Sequence, residues 1–171
     1  VHNAANYNTD PFLQISQQHF DSSMNVILKG PFFLTQAAIP LMLKNDGGKI
    51  IAMIGNSSFE TWPEKIPHAI AKSSMIKLME GIAVGFSPKI QCYSVCPGAF
   101  FKVDKADYIP EYDEVYHDIN GYQIKNGTMP PVAQLVLFLA TCDNYLNGED
   151  IIIDGGAHLM RGANFESQKN D

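Results

Sequence analysis

Apolar residues recur along this chain with two different periods, which predict helices in some segments and strands in others. Helical spacing is found in residues 21–45, 68–86 and 131–142. The first of these helices is predicted to have its N-cap at Asp21 or Ser22. Pro31 and Pro40 lie inside that helix, and each removes a backbone donor, so we expect a kink or a local break there.

Three short apolar runs predict strands, and the first of them is expected to be buried on both faces, as in a parallel sheet. They cover residues 49–54, 90–95 and 149–154. Strands that alternate with helices predict one α/β domain over residues 1–171, with right-handed crossovers and helices on both faces. Residues 56–67 are predicted to form a polar loop. The irregular segment 99–129 is too long for a plain connection, so we predict a substrate lid there, and residues 162–171 are predicted to be a loose tail.

Composition narrows the class of protein. With 171 residues, 46% of them hydrophobic, the chain is long enough for a globular core. Its net charge of -6 argues against a nucleic-acid-binding surface. No membrane association is expected, because we recognise neither an apolar run of membrane-spanning length nor a signal peptide at Val1. Three cysteines indicate neither a disulfide framework nor a metal cluster, so Cys92 and Cys96 are expected to be small buried residues and the predicted location is cytoplasmic.

The start of the second predicted helix carries the residues with the clearest potential for chemistry. His68 and Lys72 are four residues apart, so they lie on one face of the helix, one turn from each other. The positive charge of Lys72 is expected to lower the pKa of the imidazole. Gly55 follows the strand before this helix, and Pro97 and Gly98 follow the next strand. Taken alone, Pro97 and Gly98 are typical of a turn that ends a strand.

The order of these residues resembles the second half of the short-chain dehydrogenase/reductase family. The landmarks are Lys72, Pro97-Gly98 and the ending Asp154-Gly155-Gly156, and the resemblance runs from residue 2 to about residue 159. It implies a Rossmann-like parallel sheet with NADP or NAD as cofactor. It also implies that the first three strands, with the glycine-rich loop that cradles the dinucleotide phosphates, are absent from this chain. Residues 86–90 and 155–159 are most similar to pteridine and dihydromonapterin reductases.

The same resemblance implies roles for individual residues. In the family, a tyrosine acts as general acid or base, with a serine, an asparagine and a lysine around it. Here the tyrosine position is His68, the serine position is Gly55 and the asparagine position is Ile27. The lysine is kept as Lys72, which either binds the nicotinamide ribose, as the resemblance implies, or is a solvated charge on the helix face. Further cofactor contacts are expected at Asn3, Ala4, Pro97 and Gly98.

Two functions remain open at this point. His68 is either a general acid near neutral pH or a structural histidine with a hydrogen bond. Ser57 and Ser58 either replace the lost serine hydroxyl or belong to a solvated loop. The first hypothesis is an NAD(P)H-dependent reductase of a carbonyl or pterin-like substrate with weak or altered activity. The second is a non-catalytic subunit. Apolar residues around much of helices 21–45 and 68–86 predict a dimer or tetramer, or a complex with a related subunit.

Overall fold

The computed structural model describes residues 1–60, 62–98, 116–119, 122–125, 129–143 and 145–160. The helices in these residues are α1 (Gln17–Ser23), α2 (Gly30–Lys44), α3 (Ile66–Gly85), α4 (Met129–Thr141) and α5 (Ala157–Met160). The strands are β1 (Gly48–Met53), β2 (Ile90–Pro97), β3 (Tyr116–Ile119), β4 (Tyr122–Lys125) and β5 (Glu149–Ile153). A π-helical segment, Met24–Lys29, joins α1 to α2, and short 3-10 turns cover Phe12–Gln14, Asn56–Ser58 and Pro63–Lys65.

The central sheet is parallel and has the order β1-β2-β5. The start of the chain extends it beyond β1. There His2 pairs with Ala52 in parallel, the His2 amide donates to the Ile51 carbonyl, and the Met53 amide donates to the His2 carbonyl. Strands β1, β2 and β5 correspond to the three predicted apolar runs, which confirms the parallel α/β fold.

Each strand of this sheet sends alternate side chains into two separate cores, which explains why the strands are apolar on both faces. On one face, Ile50 and Cys96 pack with Met79 of α3 and with Ile27. On the other face, the buried side chains include Ile51, Tyr93, Val95, Val132 and Leu139, of which the last two come from α4. Helices therefore cover both faces of the sheet, as predicted.

The two strand cysteines belong to the first of these cores. Cys92 and Cys96 are fully buried. Burial raises the pKa of each thiol to about 12, because a thiolate would lose its hydration there. Both residues therefore act as small apolar groups, as predicted.

The long N-terminal helix differs from its prediction in where it starts and where it is irregular. It begins at Gln17, and its N-cap is Ser16, whose Oγ accepts the His19 amide at 3.1 Å, so the prediction of Asp21 or Ser22 is wrong. The first turn is polar, so apolar periodicity gave no sign of it. A π-helical turn precedes Pro31, and there the Gly30 amide donates to the Asn25 carbonyl. This turn takes up the irregularity expected at Pro31, whereas α2 continues through Pro40.

The segments predicted as loops contain more structure than the sequence suggested. α3 begins at Ile66, two residues before the predicted start, with Pro67 in its first turn, where the missing amide is tolerated. Residues 56–67 include two 3-10 turns. Within the predicted lid 99–129, β3 and β4 form an antiparallel hairpin. The rest of that segment up to residue 128, and the predicted tail 162–171, lie outside the described residues.

One helical stretch bears on the expectation of no membrane association. Gln17–Lys44 is 28 residues long with a mean hydropathy of 1.5, so by length and composition alone it could cross a membrane. The sequence prediction that no run reaches this length was wrong. Core helices of water-soluble proteins meet the same criterion, and this helix sends Ile27 and Ile39 into the first core.

Candidate active site

The predicted site residues meet at the carboxyl ends of β1 and β2. This is the edge of a parallel α/β sheet at which ligands bind. Gly55 follows β1, Pro97 ends β2, and a Cβ built on Gly55 would lie 3.9 Å from the Pro97 carbonyl oxygen. The first turns of α3 bring His68 and Lys72 to the same edge, where the Lys72 ammonium donates to the Met53 carbonyl.

Lys72 is a buried charge with few partners. The residue is only 6% exposed. Burial lowers the pKa of its ammonium to about 8, because the charged form loses hydration. An ammonium has three N–H donors, and in the part of the chain that the structure describes it makes the single hydrogen bond to Met53. Two donors are therefore left for a bound molecule.

His68 is also buried, at 7% exposure. Its Nδ1 lies 3.0 Å from the Asn6 carbonyl oxygen, and the ring of Tyr7 packs edge-on against the imidazole, with 5.4 Å between ring centroids. Burial is the main cause that lowers the pKa of His68. The hydrogen bond to Asn6 opposes this effect, and the positive charges of Lys72 and Lys65 add to it. The structure thus bears out the expected influence of Lys72, with burial as the larger cause.

The backbone at Gly55 has a conformation that disfavours any side chain. Its φ is +89° and its ψ 168°, a region occupied almost only by glycine. The space around a Cβ is nevertheless free, since its nearest neighbour would be Pro97 at 3.9 Å. The position of the family's serine therefore lacks a hydroxyl and also has a backbone suited to glycine.

Two serines and an asparagine after Gly55 turn inward. Of the two alternatives for Ser57 and Ser58, the solvated loop is wrong, because Ser57 is buried and the Ser58 hydroxyl is buried with no hydrogen-bond partner among the described residues. The 3-10 turn folds this segment against the sheet edge, where Asn56 Nδ2 donates to Asp154 at 3.1 Å and to Glu60 at 3.2 Å. The Ser58 hydroxyl is therefore a buried group near the site that a ligand could satisfy.

Asp154, noted in the sequence only as the end of a predicted strand and as part of a family landmark, accepts several hydrogen bonds at this edge. It accepts from Asn56 Nδ2, from the amides of Gly156 and His158 at 2.9 and 2.7 Å, and from His158 Nδ1. Burial by itself would raise the pKa of Asp154, but these hydrogen bonds outweigh it and hold the pKa below its ordinary value. The signal in the sequence was the Asp–His spacing of four residues, which places both on one turn.

The remaining predicted residues lie as follows. Gly98 packs against Asp154, since a Cβ on Gly98 would be 2.8 Å from the Asp154 Cα, so its need for glycine has a packing reason in this chain. Ile27 is buried in the first core and offers no polar group. Asn3 and Ala4 are exposed and leave the sheet beside the carboxyl end of β1, on the same edge as Gly55.

Residues 1–158 match the family model described as Enoyl-(Acyl carrier protein) reductase. The chain belongs to the short-chain dehydrogenase/reductase family. A relative within this family is Dehydrogenase/reductase SDR family member 6 of Danio rerio, 28% identical over 86% of this chain and 63% of the relative. The 2-(R)-hydroxypropyl-CoM dehydrogenase of Xanthobacter autotrophicus is 31% identical over 81% of this chain and 56% of that protein. The chain thus spans less than two thirds of the length of these curated relatives.

Solved structures show the same fold for this short-chain dehydrogenase/reductase. ElxO with NADP bound superposes with a TM-score of 0.75 and is 26% identical, covering 90% of this chain and 64% of ElxO. An apo SCOR enzyme from Clostridium thermocellum gives a TM-score of 0.77 at 24% identity over 99% of this chain and 65% of that enzyme. The second similarity concerns the fold alone.

Proposed function

We propose that the full-length protein is an NAD(P)-dependent oxidoreductase that transfers hydride to or from a carbonyl, alcohol or pterin-like carbon. The observation that carries this proposal is Lys72. A buried ammonium with one hydrogen bond is unfavourable in a purely structural role, and perturbed buried groups cluster at functional sites. The NADP held by ElxO, a relative in structure, supports the choice of cofactor.

The residues of this edge fit the sugar and nicotinamide end of a dinucleotide. The two remaining N–H donors of Lys72 would bind the ribose hydroxyls, and the backbone at Pro97 and Gly98 would face the nicotinamide, with Asn3 and Ala4 nearby. The dinucleotide supplies the hydride acceptor or donor when it is bound. His68 would then exchange a proton with the substrate, and Ser58, whose buried hydroxyl has no partner among the described residues, would bind the substrate oxygen.

Dinucleotide binding by the full-length protein tests this proposal. Lys72→Met should weaken the affinity for NADP or NAD by at least about tenfold in calorimetric titration, since it removes the ribose donors. Lys77→Met is the matched control, because Lys77 lies on the same helix but is exposed and paired with Glu80 at 2.6 Å. Equal affinity in wild type and Lys72→Met, or no binding of either dinucleotide by wild type, would refute the proposal.

A second candidate function is a non-catalytic subunit. It is supported by Ile27 and Gly55, which lack the polar side chains of the family at two positions. In that case His68 is a structural residue held by Asn6. His68→Asn should then change folding stability but no turnover, because wild type would have none.

Assembly is proposed for either function. Exposed apolar side chains line the two long helices and include Phe32, Phe33, Leu34 and Leu41 on α2, and Ile70 and Val84 on α3. Surfaces of this kind mark interfaces, so we propose a dimer or tetramer, or a complex with a related subunit. A full-length protein that stays monomeric by light scattering at roughly tens of micromolar, well above a typical Kd for a stable dimer, would argue against it.

Three finer assignments complete the proposal. The similarity of residues 86–90 and 155–159 to pteridine reductases supports a pterin-like substrate, and segment 99–129 would face it as a lid. The cysteine content supports a cytoplasmic location. Assays of dihydropterin reduction with NADPH, with the full-length protein and with segment 99–129 shortened, test the substrate and the lid together.

A further inference from the structure

The hydrogen bond between His68 and Asn6 fixes the tautomer of the imidazole. A backbone carbonyl oxygen can only accept, so the Nδ1 atom, 3.0 Å away, must carry the hydrogen. In a neutral imidazole, the second nitrogen then has a lone pair and no hydrogen. Asn6 is itself held in place, because its Nδ2 donates to the Ser22 hydroxyl at 2.6 Å.

The groups around His68 favour this neutral form. Lys72 lies one turn further along α3, and Lys65 precedes the helix, so the charges of two cations act on the ring. The loop side presents the ring of Tyr7 and the Asn6 carbonyl. No carboxylate pairs with the imidazole in the described residues. Burial and the two cations lower the pKa of His68, which leaves it uncharged at pH 7.

We propose that His68 is a neutral proton acceptor through Nε2 at pH 7, so that oxidative kcat/KM for a hydroxyl-bearing substrate is already at its plateau at neutral pH while reductive kcat/KM falls as pH rises. This rests on the proposed oxidoreductase function. A tyrosine at the same position has a pKa of about 10 and is a proton donor at pH 7. Replacing it with this histidine therefore moves the oxidative and the reductive pH profiles together to lower pH, while their ratio at any pH stays set by the reaction equilibrium.

The oxidative step balances in atoms and electrons. The O–H proton of the substrate passes to His68 Nε2, and the C–H hydride, with its electron pair, leaves for the oxidised dinucleotide, NAD⁺ or NADP⁺. The C=O bond forms as these two bonds break. The resulting imidazolium, which burial and the two lysines disfavour, then releases its Nε2 proton to water and restores the neutral ring.

The first test observes the tautomer directly and needs no turnover. Long-range proton–nitrogen NMR of ¹⁵N-histidine-labelled full-length protein at pH 7 should show, for His68, a protonated Nδ1 and an unprotonated Nε2. His68→Asn assigns the signal, and titration should give a pKa below the ordinary 6.5. A hydrogen on Nε2 at pH 7, in either the other tautomer or the imidazolium, overturns the inference and leaves the proposed oxidoreductase function standing.

The second test measures kcat/KM in both directions as a function of pH. Cyclohexanol with NADP⁺ is the oxidative probe, and cyclohexanone with NADPH is the reductive one. Oxidative kcat/KM should rise up to the pKa found by NMR and stay level above it. Reductive kcat/KM should fall about tenfold per pH unit above the same pKa, because the imidazolium disappears. His68→Asn should lower the oxidative rate by about 10²–10⁴-fold, whereas His19→Asn, on exposed helix α1, should not change it.

The outcomes separate the two claims. Wild type that binds NADP⁺ but oxidises no cyclohexanol, or whose reduction stays level from pH 6 to 8, overturns the inference alone. Wild type that binds neither dinucleotide overturns the proposed oxidoreductase function itself.

Discussion

Asp154 and Lys72 are two buried charges at the same end of the sheet, and their surroundings are opposite. The Asp154 carboxylate accepts hydrogen bonds from the Asn56 amide group, from two backbone amides and from the imidazole of His158. The Lys72 ammonium makes one hydrogen bond among the described residues, to Met53. Both side chains are shielded from water, so the difference between them lies in their partners and not in their burial.

The directions of the two pKa shifts report this difference. The pKa of Asp154 lies below its ordinary value in spite of burial, so the fold stabilises its charged form. The pKa of Lys72 falls to about 8 because of burial, so the fold disfavours its charged form. A buried charge with a full set of partners strengthens the structure around it, whereas one with few partners is kept at a cost in stability. Asp154 is therefore a structural charge, whereas Lys72 fits a site in which a bound ligand supplies the missing hydrogen-bond partners.

The largest effect on folding stability is expected from removing the hydrogen-bonded carboxylate of Asp154. Asp154→Ala leaves the amides of Gly156 and His158 without their acceptor and removes one of the two acceptors of Asn56, so the free energy of unfolding should fall by about 3–5 kcal/mol. Urea denaturation of the full-length protein measures it. Asp143→Ala, an exposed carboxylate, should change stability by less than about 0.5 kcal/mol. A loss below about 1 kcal/mol for Asp154→Ala would mean that the network is not stabilising.

Removing the Lys72 charge should change the free energy of unfolding in the opposite direction. A fall in pKa from 10.5 to about 8 corresponds to roughly 3 kcal/mol against the folded state at neutral pH. Lys72→Met removes this penalty and loses one hydrogen bond, so the free energy of unfolding should rise by about 2 kcal/mol. The same variant should lose dinucleotide binding. A destabilised Lys72→Met protein would show that Lys72 is a structural residue like Asp154.

The pH dependence of stability should separate the same two groups at opposite ends of the scale. Lys72 loses its proton in the folded state at a lower pH than in the unfolded state, so stability gains from it between pH 8 and 10.5. The depressed pKa of Asp154 gives stability that is present above the unfolded pKa of about 3.9 and is lost as pH falls through the folded pKa. Subtracting the profiles of Lys72→Met and Asp154→Asn from wild type isolates each contribution. A flat Lys72 difference across pH 8–10.5 would contradict the first assignment.

The contrast also shows which features of the structure could be predicted from the sequence. Helix and strand periods predicted the parallel sheet, and a spacing of four residues placed His68 beside Lys72, because both depend on local geometry. The partners of Asp154 and His68 depend on contacts between distant segments. Asn56 contacts Asp154 although the two are 98 residues apart in the chain, and Asn6 fixes the tautomer of a histidine on another element. No period encodes such contacts, so the buried Ser57 and the network of Asp154 were missed.

The smallest effect on stability is expected from a substitution at Gly55, which adjoins a partner of each charge. This residue precedes Asn56, a partner of Asp154, and follows β1, whose last carbonyl binds Lys72. A side chain at Gly55 has room, but the φ of +89° makes it strained, so Gly55→Ser should lower the free energy of unfolding by about 1–2 kcal/mol.

Gly81→Ser is the matched control for this change, because Gly81 lies within α3, where a Cβ would meet nothing within 4 Å and no positive φ is involved. It should be neutral or slightly stabilising. If Gly55→Ser is as stable as wild type in urea denaturation, the backbone there relaxes freely and the lost hydroxyl can be restored. The combined change His68→Tyr and Gly55→Ser would then be expected to recover carbonyl reduction at pH 7. If Gly55→Ser is destabilised as predicted, strain beside Asn56 limits that recovery, and His68→Tyr alone becomes the better route to a reductase.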